Sequence, residues 1–380
     1  MSTSTQPPSG SWIDVAAIER ELTALWQHAS EGEEDGGVIR SSILNLLVYV
    51  SENSEAATVD DLLTEITASD PCRAVLIVVD NSAAQPKLAA QVTSRCTLPT
   101  GTAKQVCCEQ VTITAAGDGV NDVPSAVTPL LLSDLPVYLW WRAVPRIQDK
   151  NLFRKLADVS DRVIIDSALF NDPHGDFASM AAVLKATPRW TAISDLNWAR
   201  LTAWRALLAG FYDVLEYRPS LDQLDKVVIK YEPSSSDAAA IAPRALLLGA
   251  WLASRLRWQV IKANRTEEST TFEFSSDNRT ITVEFVHTSR DIEPGHLALV
   301  TLFSKAEQST SYAVRRSADG QRIETSVSHG DEKRLQRVLG YEGLRESELV
   351  GKELQILGHD RIYEQAVLVA GEMVKAIAGK

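Results

Sequence analysis

Residues 72–80 read CRAVLIVVD. From Ala74 to Val79 every side chain is apolar, and most are β-branched. A strand with one wet face alternates apolar and polar residues. A strand that is apolar at every position is covered on both faces, as in a parallel sheet flanked by helices. The neighbouring stretches extend this reading. SSILNLLVYV (41–50), KQVCCEQVTIT (104–114), PVYLWW (136–141) and DRVIIDSAL (161–169) each predict a strand. Between them, 57–68 predicts a helix with Thr58 as N-cap and Asp61 in the capping-box position. NLFRKLADVS (151–160) predicts another helix. PSAVTPLLLSDL (124–135) begins with a helical pattern that Pro129 should break. Residues 12–28 precede the set, with Ile18, Leu22, Leu25 and Trp26 at helical spacing. Strand and helix alternate from 41 to 169, so the first part of the chain reads as an α/β domain with a mainly parallel sheet.

Further along, DLNWARLTAWRALLAGFYDVLEY (195–217) predicts one long helix, capped by Asp195 or Ser194. Its apolar stripe is Leu201, Trp204, Leu208, Phe211 and Leu215, and Arg218-Pro219 ends it. The pattern then changes. KVVIKYEP (226–233) reads as a strand and PRALLLGAWLASRLR (243–257) as a helix opened by Pro243. Residues 271–288 read as a hairpin turning at Asp277-Asn278. HLALVTLF (296–303) adds a strand, and 311–328 a second hairpin turning at Asp319-Gly320. A closing helix at about 360–378 would bury Ile362, Ala366, Val369, Met373 and Ile377. The expectation is a short disordered lead over 1–11, an α/β domain over 12–225, and an α+β domain with antiparallel hairpins over 226–380.

Composition narrows the function classes. The 380 residues carry a net charge of −12, which disfavours nucleic acid and anionic membranes as partners. No apolar run is long enough for a membrane span, and MSTSTQPPSG is no signal peptide, so the expected location is the cytoplasm. The acidic run Glu31, Glu33, Glu34, Asp35, before Gly36 and Gly37, reads as a solvated loop. The cysteines, at 72, 96, 107 and 108, form no C-x-x-C and pair with no nearby histidine. Neither a structural zinc nor a disulfide scaffold is expected. Cys107 and Cys108 are neighbours in a strand and point to opposite faces, so they should not bond to each other.

The motifs of chemistry are absent. There is no G-x-x-x-x-G-K-[ST], no G-x-G-x-x-G after a strand, no G-x-S-x-G and no H-E-x-x-H. The histidines, at 28, 174, 287, 296, 329 and 359, have no i, i+4 pair. The expectation is no metal, no cofactor and no catalysis. The segment LLLSDLPVYLWWRAVPR (130–146) stands out. Trp140 and Trp141 must face opposite ways in a strand. One packs in the core; the other needs a covering helix or a partner. Arg142 sits at the strand end, where a parallel sheet binds ligands. Arg200 and Arg205 fall on the margins of the predicted 195–217 helix face that carries Trp204. They either snorkel to solvent or line a crevice with Arg142. Trp140, Trp141, Arg142, Arg200, Trp204 and Arg205 are therefore the candidates for contact with a partner.

Several blocks together resemble the OpcA family, glucose-6-phosphate dehydrogenase assembly proteins of cyanobacteria and actinobacteria. They are RSSILNLLVY (40–49), PCRAVLIV (71–78), SAVTPLLLSDLPVYLWWR (125–142), DRVIIDS (161–167), DLNWARLTAWRALLAGFYD (195–213) and LLLGAWLASRLRW (246–258). The resemblance implies a non-catalytic partner of glucose-6-phosphate dehydrogenase in the oxidative pentose phosphate pathway, favouring the active oligomer. It also brings in thioredoxin-linked redox control. In this chain such control has only the cysteines before residue 109 to use, which makes Cys72, Cys107 and Cys108 the redox candidates. The runner-up reading is an enzyme or sensor domain that binds a sugar phosphate at the carboxyl edge of the sheet.

Overall fold

The computed structural model describes residues 13–31, 39–51, 53–80, 82–83, 85–98, 105–145, 147, 151–186, 191–234, 239–288, 293–305, 310–330, 332–341 and 343–379. The expected lead over 1–11 and most of the acidic run lie outside these residues. The described chain forms two compact units. Unit 1 takes the described residues up to Asp166, those of 189–194, and those of 345–359; unit 2 takes 167–188, 195–344 and 360–380. The chain thus passes between units several times, whereas the sequence reads most simply with a single boundary at 225/226.

Unit 1 is built on a sheet of β1 (Ile39–Arg40), β2 (Leu44–Val50), β3 (Cys72–Asp80), β4 (Lys87–Thr97), β5 (Val106–Ala116), β6 (Val137–Arg142), β7 (Arg162–Ile165) and β8 (Ala192–Asp195). The order is β1-β5-β3-β2-β6-β7-β8, with β4 along the other side of β5. The pairs β1–β5, β5–β3, β3–β2, β2–β6 and β6–β7 are parallel, and β4–β5 is antiparallel. Ala74 to Val79 are buried on both faces, as their unbroken apolar run requires. The helices α1 (Val15–Glu31), α2 (Asn53–Ser69), α3 (Val123–Val127) and α4 (Leu152–Asp158) accompany the strands. Ile18 and Leu22 of α1 are buried; the side chains of Leu25 and Trp26 lie outside the described set. Beyond Pro124, α3 gives way to a 3-10 turn at Thr128–Leu130, the break expected at Pro129. The strand β4 carries no apolar alternation in sequence and was not expected. It is an edge strand with only Val92 buried.

Unit 2 contains α5 (Pro173–Ala186), α6 (Leu196–Arg200), α7 (Thr202–Gly210), α8 (Arg218–Leu221) and α9 (Pro243–Arg255). Its sheet is β9 (Leu224–Tyr231), β10 (Gln259–Arg265), β11 (Ser269–Ser276), β12 (Arg279–His287), β13 (Leu297–Ser304), β14 (Thr310–Arg316), β15 (Arg322–His329) and β16 (Glu332–Gly340). The order is β10-β11-β12-β9-β13-β14-β15-β16. Only β9–β12 is parallel; the remaining pairs are antiparallel, so the second sheet is mixed and mostly hairpin-built. The β11–β12 turn puts Asp277 and Asn278 at φ 45° and 64°, the left-handed values a two-residue hairpin turn needs.

After β16 the chain returns to unit 1 as α10 (Glu346–Leu354), which rests on α2. Arg345 Nη1 donates to Glu65 Oε2 at 3.0 Å, and Ser347 Oγ bonds the same carboxylate. Leu349, Val350 and Leu354 are buried beneath. The closing helix α11 (Arg361–Ile377) belongs to unit 2 and is capped by Asp360, whose Oδ1 accepts from the backbone of Ile362 and Tyr363.

Two helix readings need correction. The long helix over 195–217 is broken: α6 stops at Arg200, α7 at Gly210, and a 3-10 turn follows over Phe211–Asp213. Leu201, Trp204, Leu208 and Phe211 are buried as expected, but Leu215 lies past the last turn and is 75% exposed. Pro219 opens α8 rather than ending a helix. In α11 the buried face is Tyr363, Ala366, Val367, Ala370, Met373 and Val374, whereas Ile362 is 42% exposed. Close packing of α11 on α5 selects that face. A Cβ on Gly371 would come within 2.4 Å of Ala181 Cβ, so a glycine holds the contact.

Candidate functional site: the carboxyl end of the parallel sheet

Counted from β2, the order β5-β3-β2-β6-β7-β8 is 3-2-1-4-5-6, the doubly wound order of dinucleotide-binding sheets. In such sheets the ligand crevice opens outside the carboxyl ends of the first and fourth strands, here β2 and β6, where chain direction switches. Arg142 is the last residue of β6 and pairs in register with Val50, the last of β2. It stands at the mouth of that crevice.

The guanidinium is fully engaged within unit 1. Its Nε donates to Glu346 Oε1 at 3.0 Å and its Nη2 to Glu346 Oε2 at 3.1 Å, a bidentate fork. Its Nη1 donates to Glu55 Oε2 at 3.3 Å. It also lies 5.3 Å from the centre of the Trp140 ring. Glu55 is in the first turn of α2 and Glu346 in the first turn of α10, where a carboxylate also suits the helix dipole. The two acids face the positive ends of two helices, and one arginine ties them together.

A dinucleotide does not fit this arrangement. A pyrophosphate needs a glycine-rich turn after the first strand and bare N–H groups at the following helix. Residues 51–56 are SENSEA, and no glycine occurs between Gly37 and Gly101. Glu55 places negative charge where phosphate would sit.

The other candidates fall as follows. Trp140 and Trp141 do point to opposite faces, and both are covered, at 1% and 5% exposed. Trp141 stacks on Tyr49 with ring centres 3.6 Å apart and meets the edge of Phe153 from α4 at 4.9 Å. Trp141 therefore packs within the unit, the covering-helix alternative. Arg200, Trp204 and Arg205 lie in unit 2. Trp204 is buried, and Arg200 and Arg205 are half-buried. Arg205 lies flat over Trp198, its Cζ 3.5 Å from the ring centre. The indole Nε1 of Trp198 donates to Asp360 Oδ2 at 3.0 Å, joining α6 to the cap of α11. Asp195 caps α6 by accepting from Asn197 N.

The cysteines need the largest correction. A disulfide joins Cys96 to Cys107, which face each other directly across β4 and β5. The backbone oxygen of Cys107 accepts from Ser41 N on the β1 side, so Cys96 and Cys107 form a non-hydrogen-bonded pair, the cross-strand position where side chains come closest. Sequence reading missed it because β4 was not seen as a strand. The available signal was the polar, Pro- and Gly-containing stretch LPTGTAKQ (98–105), about which the two cysteines are symmetric. Cys107 and Cys108 do not bond. Cys72 and Cys108 are buried free thiols, and burial pushes both pKa values up, away from the thiolate that redox chemistry needs.

A second recess, about 810 Å³, opens at the amino end of the sheet, with Asp134, Tyr138, Asp161, Arg162, Thr191 and His359 in its walls. The buried Arg162 guanidinium there bonds Ser194 Oγ and the carbonyl of Gly358. Sequence reading did not find it, since its walls come from segments far apart in the chain.

Comparison with known proteins agrees with the sequence blocks. Residues 63–182 match the family model described as the glucose-6-phosphate dehydrogenase subunit N-terminal domain, and 191–367 the model of its C-terminal domain. The chain belongs to the OpcA family. It is 28% identical over 370 residues to a Nostoc punctiforme protein described as an OxPP cycle protein OpcA, covering 94% of this chain and 75% of that one. A Synechocystis relative of the same description is 28% identical over 366 residues, covering 92% and 72%. One from Synechococcus elongatus is 35% identical over 199 residues, covering 52% and 42%. Among solved structures, a Gal80p super-repressor mutant from Saccharomyces cerevisiae is similar at a TM-score of 0.48 and 10% identity, covering 90% of this chain and 98% of that one. That likeness carries no functional weight. No described helix is long and apolar enough to cross a membrane.

Proposed function

We propose that this chain is a non-catalytic partner of glucose-6-phosphate dehydrogenase that binds the enzyme and favours its active oligomer in the oxidative pentose phosphate pathway. The observation that carries the reading is the match to both family models, over 63–182 and 191–367. The carboxyl end of the parallel sheet supports the non-catalytic part. Glu55, Arg142 and Glu346 close the crevice that a nucleotide cofactor would need. An activator must bind the enzyme's active state more tightly than its inactive one. Trp140, Trp141 and Trp204 are buried, so they act by shaping the fold; Arg200 and Arg205 are the candidates that solvent and a partner can reach. We place the protein in the cytoplasm with its enzyme. Any exchange with thioredoxin would act on Cys96–Cys107, the dithiol of thioredoxin being oxidised as this disulfide is reduced.

The test is size-exclusion chromatography of the chain mixed with the dehydrogenase. Co-elution in a peak larger than either protein is expected. Independent elution at micromolar concentrations would remove the partner reading. The chain alone should not reduce NADP with glucose 6-phosphate, and turnover that survives repurification would remove the non-catalytic one.

A further inference from the structure

The recess of about 810 Å³ at the amino end of the unit 1 sheet has a polar floor and an acidic rim. The floor is Tyr138 and Arg162, which pair in register on β6 and β7 and are 3% and 2% exposed. Arg162 bonds Ser194 Oγ and the Gly358 carbonyl, which hold its guanidinium in place. Tyr138 is different. It lines the recess, yet its hydroxyl has no hydrogen-bond partner among the described residues. A tyrosine buried this deeply ordinarily finds one.

The rim carries Asp134, Asp158 and Asp161, all exposed. Asp158 accepts from Arg154 Nε at 2.9 Å, so its charge is matched. Asp134 and Asp161 have no ion pair among the described residues. Both are nonetheless fixed. Asp161 Oδ2 accepts from Val137 N at 2.8 Å, and Asp161 N donates to the Val137 carbonyl at 2.8 Å. Asp134, at φ 66°, sits on a turn clamped by the buried Asn45. The Asn45 side chain accepts from Leu132 N at 2.8 Å and donates to the carbonyls of Leu132 and Leu135 at 3.0 and 3.3 Å. Two unmatched carboxylates thus stand against the one cation of the floor, and the recess is net negative. Leu357 completes the rim and is 84% exposed.

We propose that this recess docks a basic loop of a partner protein, whose arginine enters between Asp134 and Asp161 towards the Tyr138 hydroxyl. A guanidinium presents five donors in a rigid fork, which suits two fixed carboxylates and a phenol oxygen. Arginine is also the cation that anchors protein interfaces most often. The exposed Leu357 selects a protein over a free small cation, because a loop carries apolar neighbours that cover it. The inference rests on the partner reading only for the identity of the partner, the dehydrogenase.

The first test needs no dehydrogenase. The full chain is titrated with N-acetylarginine amide and, separately, with its uncharged analogue N-acetylcitrulline amide, while NMR follows the Tyr138 ring. Saturable shifts with the arginine probe alone are expected. Asp134→Asn and Asp161→Asn should each weaken that binding about threefold or more. Asparagine tolerates the left-handed backbone at 134 and still offers Val137 N an acceptor at 161. If Asp161→Asn melts early, the exposed Asp134→Asn carries the readout. No shift, an equal shift with the citrulline probe, or unchanged binding in the variants would overturn the site. The second test is affinity for the dehydrogenase. The double variant should bind about tenfold or more weakly, and Leu357→Ala should weaken this contact while leaving the arginine probe unaffected. Unchanged affinity in both would overturn the recess as the docking surface and leave the partner reading standing. A wild-type chain that does not bind the dehydrogenase would remove the partner reading, and the arginine probe still decides the recess.

Discussion

Arg142 in unit 1 and Arg316 in unit 2 each end a strand, yet they are held on opposite plans. Arg142 meets two carboxylates, each anchored at the start of a helix, and its charge is matched within the fold. At His296 a guanidinium, that of Arg316, donates to a neutral ring whose other nitrogen faces Glu293. The difference teaches that a strand-end arginine does not by itself mark a ligand site. What neighbouring helices bring to it decides. At Arg142 they bring glutamates, and the crevice closes; at Arg316 the partner across the strand ends is a neutral imidazole.

The largest effect expected from breaking this contrast is at Arg142. Arg142→Ala strands Glu55 and Glu346 against each other and should cost about 2–4 kcal/mol, less than a fully buried pair because both acids are partly wet. Urea unfolding would measure it. A loss under about 1 kcal/mol would show that the charges are not matched as described.

The same unit has a covalent lock. Cys96→Ser opens the bridge across β4 and β5, whose loop spans 11 residues, and should cost about 2–3 kcal/mol. Thiol counting under denaturing conditions should find two free thiols before reduction and four after. Four throughout would remove the lock.

The His296 end answers to pH instead. The folded pKa is about 3 against an ordinary 6.5, so on acidification the unfolded chain protonates this ring first. Stability from this group is complete above about pH 6.5 and falls as pH drops towards 3. An NMR titration should show the His296 ring neutral at pH 5; a ring half-protonated there would break the picture. Arg316→Gln should raise that pKa part of the way, since burial, the larger cause, remains. Its effect on stability is the smallest expected here, within about 1 kcal/mol, and can be read from the same urea curves as Arg142→Ala.

Both sides of this contrast were only partly legible in the sequence. The strand β3 was plain, because burial on both faces leaves no polar residue from Ala74 to Val79. Arg142 could be placed at a strand end from the same kind of pattern. Its bidentate partner Glu346 could not, since it lies 204 residues away on a helix with no distinguishing periodicity. The Cys96–Cys107 bond was hidden because an edge strand such as β4 buries only one side chain and loses its alternation. Nothing local in the sequence ties His296 to Arg316; strand order in the second sheet does. For Trp140 and Trp141 the pattern gave the faces but not the cover. They face opposite ways, as a strand requires, and Trp141 is covered by Tyr49 and by Phe153 of α4 in the same unit.

The central claim is that the chain acts on glucose-6-phosphate dehydrogenase without doing chemistry itself. The most direct measurement is the initial rate of NADP reduction at subsaturating glucose 6-phosphate, with the enzyme fixed and the chain titrated in. The account predicts a rate that rises and saturates with the chain, while the chain alone gives none. A rate unchanged at every concentration, or NADP reduction by the chain alone, would contradict it.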